Sequence, residues 1–416
     1  MAPSSYGIDW DDAEMYGFHS HRPDGKCGAH VTLFYDGFDK FIEDCNSCLV
    51  TREDALFTME LTKAMGKKYE KEQHRVAEFS QLLTGYFGVE VISETKFGYT
   101  IDGIIKHFNN PQQRSFTLLI LKAKNEVGQG HSDSYNQALS YYYYWNQESN
   151  FQSSLCPCYV VELVGPHFEI YGVIDTGTHT ARKMQADMLV PMLWLVNQSN
   201  DLNAMTHIMK TFKALKNALV KLRGYYDLTP TKSVYPLTFR QPLSYLSEVK
   251  RNVYRAVYNG GVNVIVKFVT RYGEDVHKFC SENGFAPELL FCKQVTLQYI
   301  MIIMKEVKGV TVTKYLRQNE NNDSVKVDVK NQCDKILKNM HASKYCHGDF
   351  RPSNLIVDES CKLFVIDFDW SGKAGLTKYP YFMNHCGIDW ADGESDGQLL
   401  QPDHDTHLCD KHLFLC

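Results

Sequence analysis

The chain's 416 residues, 44% hydrophobic and 13% aromatic, hold enough apolar material for two or three packed domains and exclude an intrinsically disordered protein. Its 44 basic and 49 acidic side chains leave a formal net charge of -5, so overall attraction to nucleic acid is excluded and any such binding needs a local basic patch. Thirteen cysteines with no basic and apolar leader read as reduced thiols. The best apolar run, around Met188 to Val196, is interrupted by Pro191 and is too short for a bilayer. A soluble intracellular protein of the nucleus or cytoplasm, with no membrane partner, is predicted.

Residues 1–55 are aromatic, polar and without a clear period. Cys45 and Cys48 have the spacing of a zinc half-site, with His19, His21 and Cys27 upstream, although such pairs are more often buried thiols. A helical pattern then runs from Arg52 to Leu83, broken near Gly66, with Val76, Phe79, Leu82 and Leu83 on one face of its later part. Strand patterns follow over Val89–Glu94, Gly98–Ile105 and Thr117–Lys124, the last after a turn at Asn109-Asn110-Pro111. This meander sets Asp102 at one strand end and Lys124 at the end of the next. Hydrolysis of phosphodiesters uses that grouping: carboxylates hold divalent ions, and a lysine positions the attacking water or the developing charge. The next helix carries Gln137 and Tyr141, and Tyr141 to Trp145 is an aromatic run suited to base stacking or to packing. A hairpin over Cys158–Val164 and His167–Ile174 closes a first domain, 56–180. Residues 181–236 are predicted to be a helical connector.

This first domain resembles the restriction-endonuclease-like family, whose pattern is an Asp followed by Glu-x-Lys, and Gln137 and Tyr141 match the Gln-x-x-x-Tyr element of one of its branches. The resemblance implies an α/β nuclease fold acting on nucleic acid through Asp102 and Lys124. Lys122 stands where the family has its glutamate, so Glu126 or Glu78 would have to supply the missing ligand. An active nuclease and a degenerate one both remain open.

From Leu237 the pattern turns to strands. Val253–Tyr258 and Val262–Phe268 form a hairpin across Asn259-Gly260-Gly261, and the second strand carries Lys267 near its end. Gly273–Asn283 reads as a helix, Leu297–Met304 as a strand and Val327–Met340 as another helix. The stretch His347 to Asp369 then reads HGDFRPSNLIVDESCKLFVIDFD: an aspartate, an asparagine, two short strands around Asp358-Glu359-Ser360, and Asp-Phe-Asp. Phosphoryl transfer needs a carboxylate to orient the attacking hydroxyl and oxygen ligands for magnesium. Asp349 suits the first role, and Asn354 with Asp367 the second.

Residues 237–416 resemble the protein-kinase-like superfamily, through H-x-D-x-x-x-x-N, D-F-x and a V-A-I-K-like Val264-Ile265-Val266-Lys267. The resemblance implies a two-lobed phosphotransferase using ATP and Mg2+. Lys267 would hold phosphates, Glu274 would pair with Lys267, and Glu306 and Val307 would form a hinge against adenine. Arg351 would lie near the γ-phosphate. Three positions depart from the pattern: Ser247–Asn252 has no glycine-rich loop, leaving Lys250 or Arg251 to meet phosphate; position 348 is Gly; and the third motif ends in Asp369. His-Gly-Asp also occurs in the aminoglycoside- and choline-kinase-like branch, so a Ser/Thr protein acceptor, the first choice, stands beside a small-molecule one.

A nuclease-like domain followed by HGDFRPSN, DFDW, Asp389-Trp390 and His404-Asp405 is similar to Crinkler-type proteins of fungi and oomycetes. That resemblance implies an effector-like α+β protein acting inside a cell, the host's included. A nuclease with a regulatory kinase domain and a non-enzymatic double pseudoenzyme are the other readings. His404, His407, Cys409, His412 and Cys416 are further candidate metal ligands whose spacing fits no common zinc site.

Overall fold

The computed structural model describes residues 18–19, 28–96, 99–111, 113–127, 134–146, 154–177, 183–198, 200–228 and 232–413. The fold is mixed α and β with several sheets, in two units, residues 1–237 and 238–416.

In the first unit, β1 (Phe18–His19) is followed by α1 (Asp36–Ser47), α2 (Arg52–Met65) and α3 (Glu72–Phe87). The stretch 1–55, expected to be irregular, thus contains a helix. Phe38, Phe41 and Cys45 supply its buried stripe, a period hidden by Gly37 and the acidic residues around it. The break expected near Gly66 is real. Helix α2 starts on a reciprocal Thr51–Asp54 capping box and ends at Gly66, while α3 ends on Gly88 at a φ of 69°.

Next come β2 (Ile92–Lys96), β3 (Tyr99–Asn109), β4 (Arg114–Lys124), α4 (Ser134–Asn146), β5 (Cys158–Val164), β6 (His167–Asp175), β7 (Met184–Trp194) and α5 (Leu202–Asp227). The strands form one seven-stranded sheet in the order β1-β7-β6-β5-β4-β3-β2. β4 and β5 run parallel, joined through α4, and β1 runs parallel to β7. Of the residues expected to form a helical connector, 181–236, the long helix α5 is as expected, whereas Met184–Trp194 is the strand β7. Met188, Leu189, Met192 and Leu193 suggested a helix, but the segment pairs antiparallel with β6. Pro191 is exposed and falls at the register shift between β6 and β7, where it is paired with no residue of β6, a position that tolerates proline. Helix α5 begins on Asp201, which accepts from the N–H of Ala204. It buries Phe212, Leu215, Leu219 and Leu222 and packs on α1 and α2. Ile104, Ile120, Val160 and Val173 meet Ala138 and Tyr142 of α4 in one core.

The second unit opens with β8 (Leu243–Lys250), β9 (Val253–Tyr258), β10 (Val262–Val269), α6 (Glu274–Glu282), β11 (Leu289–Gln294) and β12 (Ile300–Lys305). These strands form an antiparallel five-stranded sheet, β11-β12-β10-β9-β8. Asn259 and Gly260 both take positive φ, which is why Asn-Gly stands at the β9–β10 turn. Then follow β13 (Gly309–Thr311), α7 (Val312–Gln318), α8 (Asp323–Ala342), β14 (Tyr345–Cys346), β15 (Leu355–Asp358), β16 (Leu363–Val365), β17 (Gly372–Lys373) and α9 (Pro402–Leu413). β13, β15 and β16 make a small sheet. Its inward residues Leu355, Val357, Leu363 and Val365 share a core with Cys333, Ile336, Leu337 and Met340 of α8. Among the described residues no helix is long and apolar enough to cross a membrane.

Candidate active site

The hairpin of β15 and β16 is a device for holding two residues side by side. Leu355 pairs with Val365, and the N–H of Ile366 donates to the carbonyl of Asn354 at 2.9 Å. Asn354 and Asp367 are therefore brought to adjacent positions at one end of the hairpin. Asp367 has a φ of 69°, a left-handed conformation that its short side chain tolerates better than most.

Asp349 lies beside them. Asn354 Nδ2 donates to the Asp349 backbone carbonyl at 2.9 Å and to Oδ2 at 2.7 Å. Arg351 forks onto the same carboxylate, Nε to Oδ1 and a second nitrogen to Oδ2 at 2.9 Å. Three donors thus fix the carboxylate while Oδ1 keeps a lone pair for a further donor. The amide of Asn354 spends its N–H groups on Asp349, and among the described residues its Oδ1 takes no hydrogen bond. That oxygen, with the carboxylate of Asp367, is a hard-oxygen set of the kind magnesium takes.

The backbone of this loop is held from α9. Asp405, fully buried, accepts the N–H of His347 at 2.7 Å on Oδ2 and the N–H of Gly348 at 2.8 Å on Oδ1. Gly348 sits at a φ of 82°, and a Cβ there would lie 3.1 Å from both Leu400 Cδ2 and the carbonyl of Trp370. Gly at this position is a backbone requirement, which accounts for the departure from His-Arg-Asp.

Lys267 reaches the same place from β10. Its Nζ is 2.5 Å from Asp367 Oδ1 and 2.6 Å from Asp369 Oδ1. Burial alone would lower the pKa of this lysine, but the two carboxylates outweigh it and hold the value above the ordinary one. Burial also raises Asp367, yet Lys267 and then Lys250 outweigh it, so that acid stays low; Asp369, half-buried and next to Asp367, is raised to about 6.

Glu274 does not pair with Lys267. Its carboxylate is 2.6 Å from Lys278 on the same helix, because the inward face of α6 is Val276, His277 and Cys280. Lys250, at the end of β8, lies 3.7 Å from Asp367.

A cavity of about 310 Å³ opens from this cluster. Val253, Ile265, Met304, Ile356 and Ile366 give it apolar walls, Lys267, Asp367 and Lys250 a charged end, and Glu306 and Val307 line it too. The Glu306 backbone N–H is bonded to the Asn263 carbonyl at 3.0 Å, and its carboxylate to Arg255 Nε at 2.7 Å.

In the first unit, Asp102 and Lys122 face each other across β3 and β4, two positions beyond the Ile104–Ile120 pair. Lys122 Nζ is 2.6 Å from Asp102 Oδ2, which also accepts the N–H of Ala123 at 2.8 Å. They lie on a cavity of about 880 Å³ that α3 residues, Ser80 among them, also line. An ammonium group thus fills the ground where a divalent ion would need a second carboxylate. Lys124 projects from the same strand face, two residues on. Glu126 does not join Asp102: Arg75 holds it at 3.0 Å. Glu78 is held by Lys67 and Tyr69. Gln137 and Tyr141 lie on α4, where Tyr141 is a core residue rather than a stacking surface.

Among the described residues no group of three or more His, Cys, Asp or Glu is arranged to hold a metal. Cys45 is buried and Cys48 Sγ faces the carbonyl of Lys210. His21, Cys27, Cys416 and the side chain of His19 lie outside the described residues. In the tail, His404 contacts Tyr379, and His407 the carbonyl of Asp389.

Asp369 and Asp405 escaped functional notice in the sequence, where they stood only as parts of motifs. Glu394 did too. It is buried, receives Tyr379 Oη at 2.9 Å and the N–H of Ala391 at 3.0 Å, and its pKa is raised by burial to about 7.

No family model matches the chain, and no curated protein sequence does.

Proposed function

We propose that residues 238–416 are an ATP-dependent phosphotransferase of the protein-kinase-like class, acting on a serine or threonine of a protein. The observation that supports this most is that Lys267 and Asp367 meet at the charged end of one apolar-walled cavity, while the β15–β16 hairpin sets Asn354, bonded to Asp349, beside Asp367. In this reading the apolar slot takes the adenine, with the chain at Glu306 and Val307 along its edge, and Lys267 and Lys250 meet the phosphates. Asn354 and Asp367 would hold magnesium, which when bound neutralises charge on the phosphates. Asp349 receives the acceptor hydroxyl on Oδ1 and aims it; Arg351 and Asn354 keep the carboxylate from turning. The protein acceptor rests on the resemblance alone.

The first unit we read as a degenerate restriction-endonuclease-like domain, because Lys122 holds Asp102 and Glu126 is committed to Arg75. The whole would be a Crinkler-type arrangement in which phosphotransfer is the chemistry.

Radiolabelled ATP with magnesium, supplied to purified protein with general protein substrates, tests the reading. Label on protein that disappears in Asp349→Asn is expected. Equal label from that variant, or none from the wild type with any acceptor, would sink it.

A further inference from the structure

We propose that Asp369 is the residue that positions Lys267 for the nucleotide phosphates, the task expected of Glu274. The inference rests on the phosphotransferase reading and adds how its phosphate-binding lysine is held.

The first observation is that α6 has no acid to offer. Val276, His277 and Cys280 face the core, Glu274 is bonded to Lys278, and Asp275 and Glu282 are exposed. The second is that both carboxylates on Lys267 come from one tripeptide, Asp367 at 2.5 Å and Asp369 at 2.6 Å. The third concerns how that tripeptide is fixed. Phe368 is fully buried, stacks on His277 with centroids 4.5 Å apart and planes 9° apart, and accepts the N–H of Gly273 at 2.9 Å. His277 is itself pinned between Tyr272 Oη at 2.6 Å and the Pro287 carbonyl at 2.8 Å. The loop is therefore tied to the start of α6 through Phe368, and the carboxylate that another design would mount on the helix is mounted next to Phe368.

An ammonium has three donors. With Asp369 fixed, Lys267 keeps a carboxylate partner when Asp367 is engaged elsewhere, and its other N–H groups remain for phosphate oxygens. A glycine at 369 would leave this lysine without that partner.

The test is titration of the full chain with a fluorescent N-methylanthraniloyl ATP in magnesium, beside steady-state ATP turnover. The variants are Asp369→Asn, Asp369→Glu, Glu274→Gln and Lys267→Met, with Asp369→Asn also placed on Lys267→Met. Asp369→Asn is expected to weaken nucleotide binding and raise KM about tenfold with a smaller change in kcat. It should add nothing further on Lys267→Met, and Asp369→Glu should recover part of the loss. A larger loss in Glu274→Gln, tighter binding in Asp369→Asn, or a full additional loss on Lys267→Met overturns the inference while leaving the phosphotransferase reading intact. Wild-type protein with neither saturable binding nor turnover overturns both.

Discussion

Asp405→Ala is the most direct probe of how the loop bearing Asp349 is held. The substitution strips the acceptors from two buried backbone N–H groups, those of His347 and Gly348, at 2.7 and 2.8 Å. Each buried N–H left unpaired costs about 1–3 kcal/mol, so the pair puts the loss at about 2–6 kcal/mol. Alanine also spares the folded state the burial of a carboxylate, which places the net effect in the lower half, about 3 kcal/mol. At 1.4 kcal/mol per factor of ten, that is roughly a hundredfold in the local opening equilibrium. Amide hydrogen exchange read by mass spectrometry measures it directly, on peptides covering residues 345–350 with the β9–β10 hairpin as internal reference. Protection of the two amides should fall by about two orders of magnitude while the hairpin is unchanged, and Asp405→Asn, which keeps one acceptor, should fall less. A local loss below about threefold, or an equal loss in the hairpin, would refute the claim that α9 holds this loop through a single side chain.

Two further outcomes follow from other buried groups. The pKa of Glu394 is raised from 4.5 to about 7, so between those values the folded chain keeps a proton that the unfolded chain has lost. Stability should therefore fall as pH rises through that window, and Glu394→Gln should flatten this part of the Tm profile; parallel profiles for the two proteins would contradict it. In the first unit, Lys122→Met leaves Asp102 facing an apolar partner and should cost about 3 kcal/mol, whereas the double variant with Asp102→Leu should recover much of that. Urea unfolding followed by a probe in unit 1 decides this, and additive losses would count against the pairing.

Legibility in the sequence followed the range of the interactions. The hairpin at Asn259-Gly260 and the adjacency of Asn354 and Asp367 are set by a few neighbouring residues, so the chain states them locally. Lys267 could be picked out by its strand, but its partner could not. Whether Glu274 or Asp369 reaches it depends on which face of α6 is buried, and His277 and Phe368, 91 residues apart in number, settle that together. Lys122 tells the same story. Read along β4 it is a lost ligand, and only the register with β3 shows it to be a partner for Asp102. The strand β7 was misread because Met188, Leu189, Met192 and Leu193 fall at helical spacing, although Met188 and Met192 are exposed and only the two leucines are buried. The role of Asp405, 57 positions from Gly348, had no local signal at all.

The hairpin of β8 and β9 closes on Arg251 and Asn252 alone, with Lys250 already paired to Val253. A turn that tight has no slack to drape over a triphosphate. The phosphate end of a bound nucleotide would then be covered from this side by the Lys250 side chain, 64% exposed, rather than by a blanket of backbone amides. Retention by a solvated arm is brief and weakens as salt rises. On the phosphotransferase reading, such a domain would exchange its nucleotide readily and follow the supply around it.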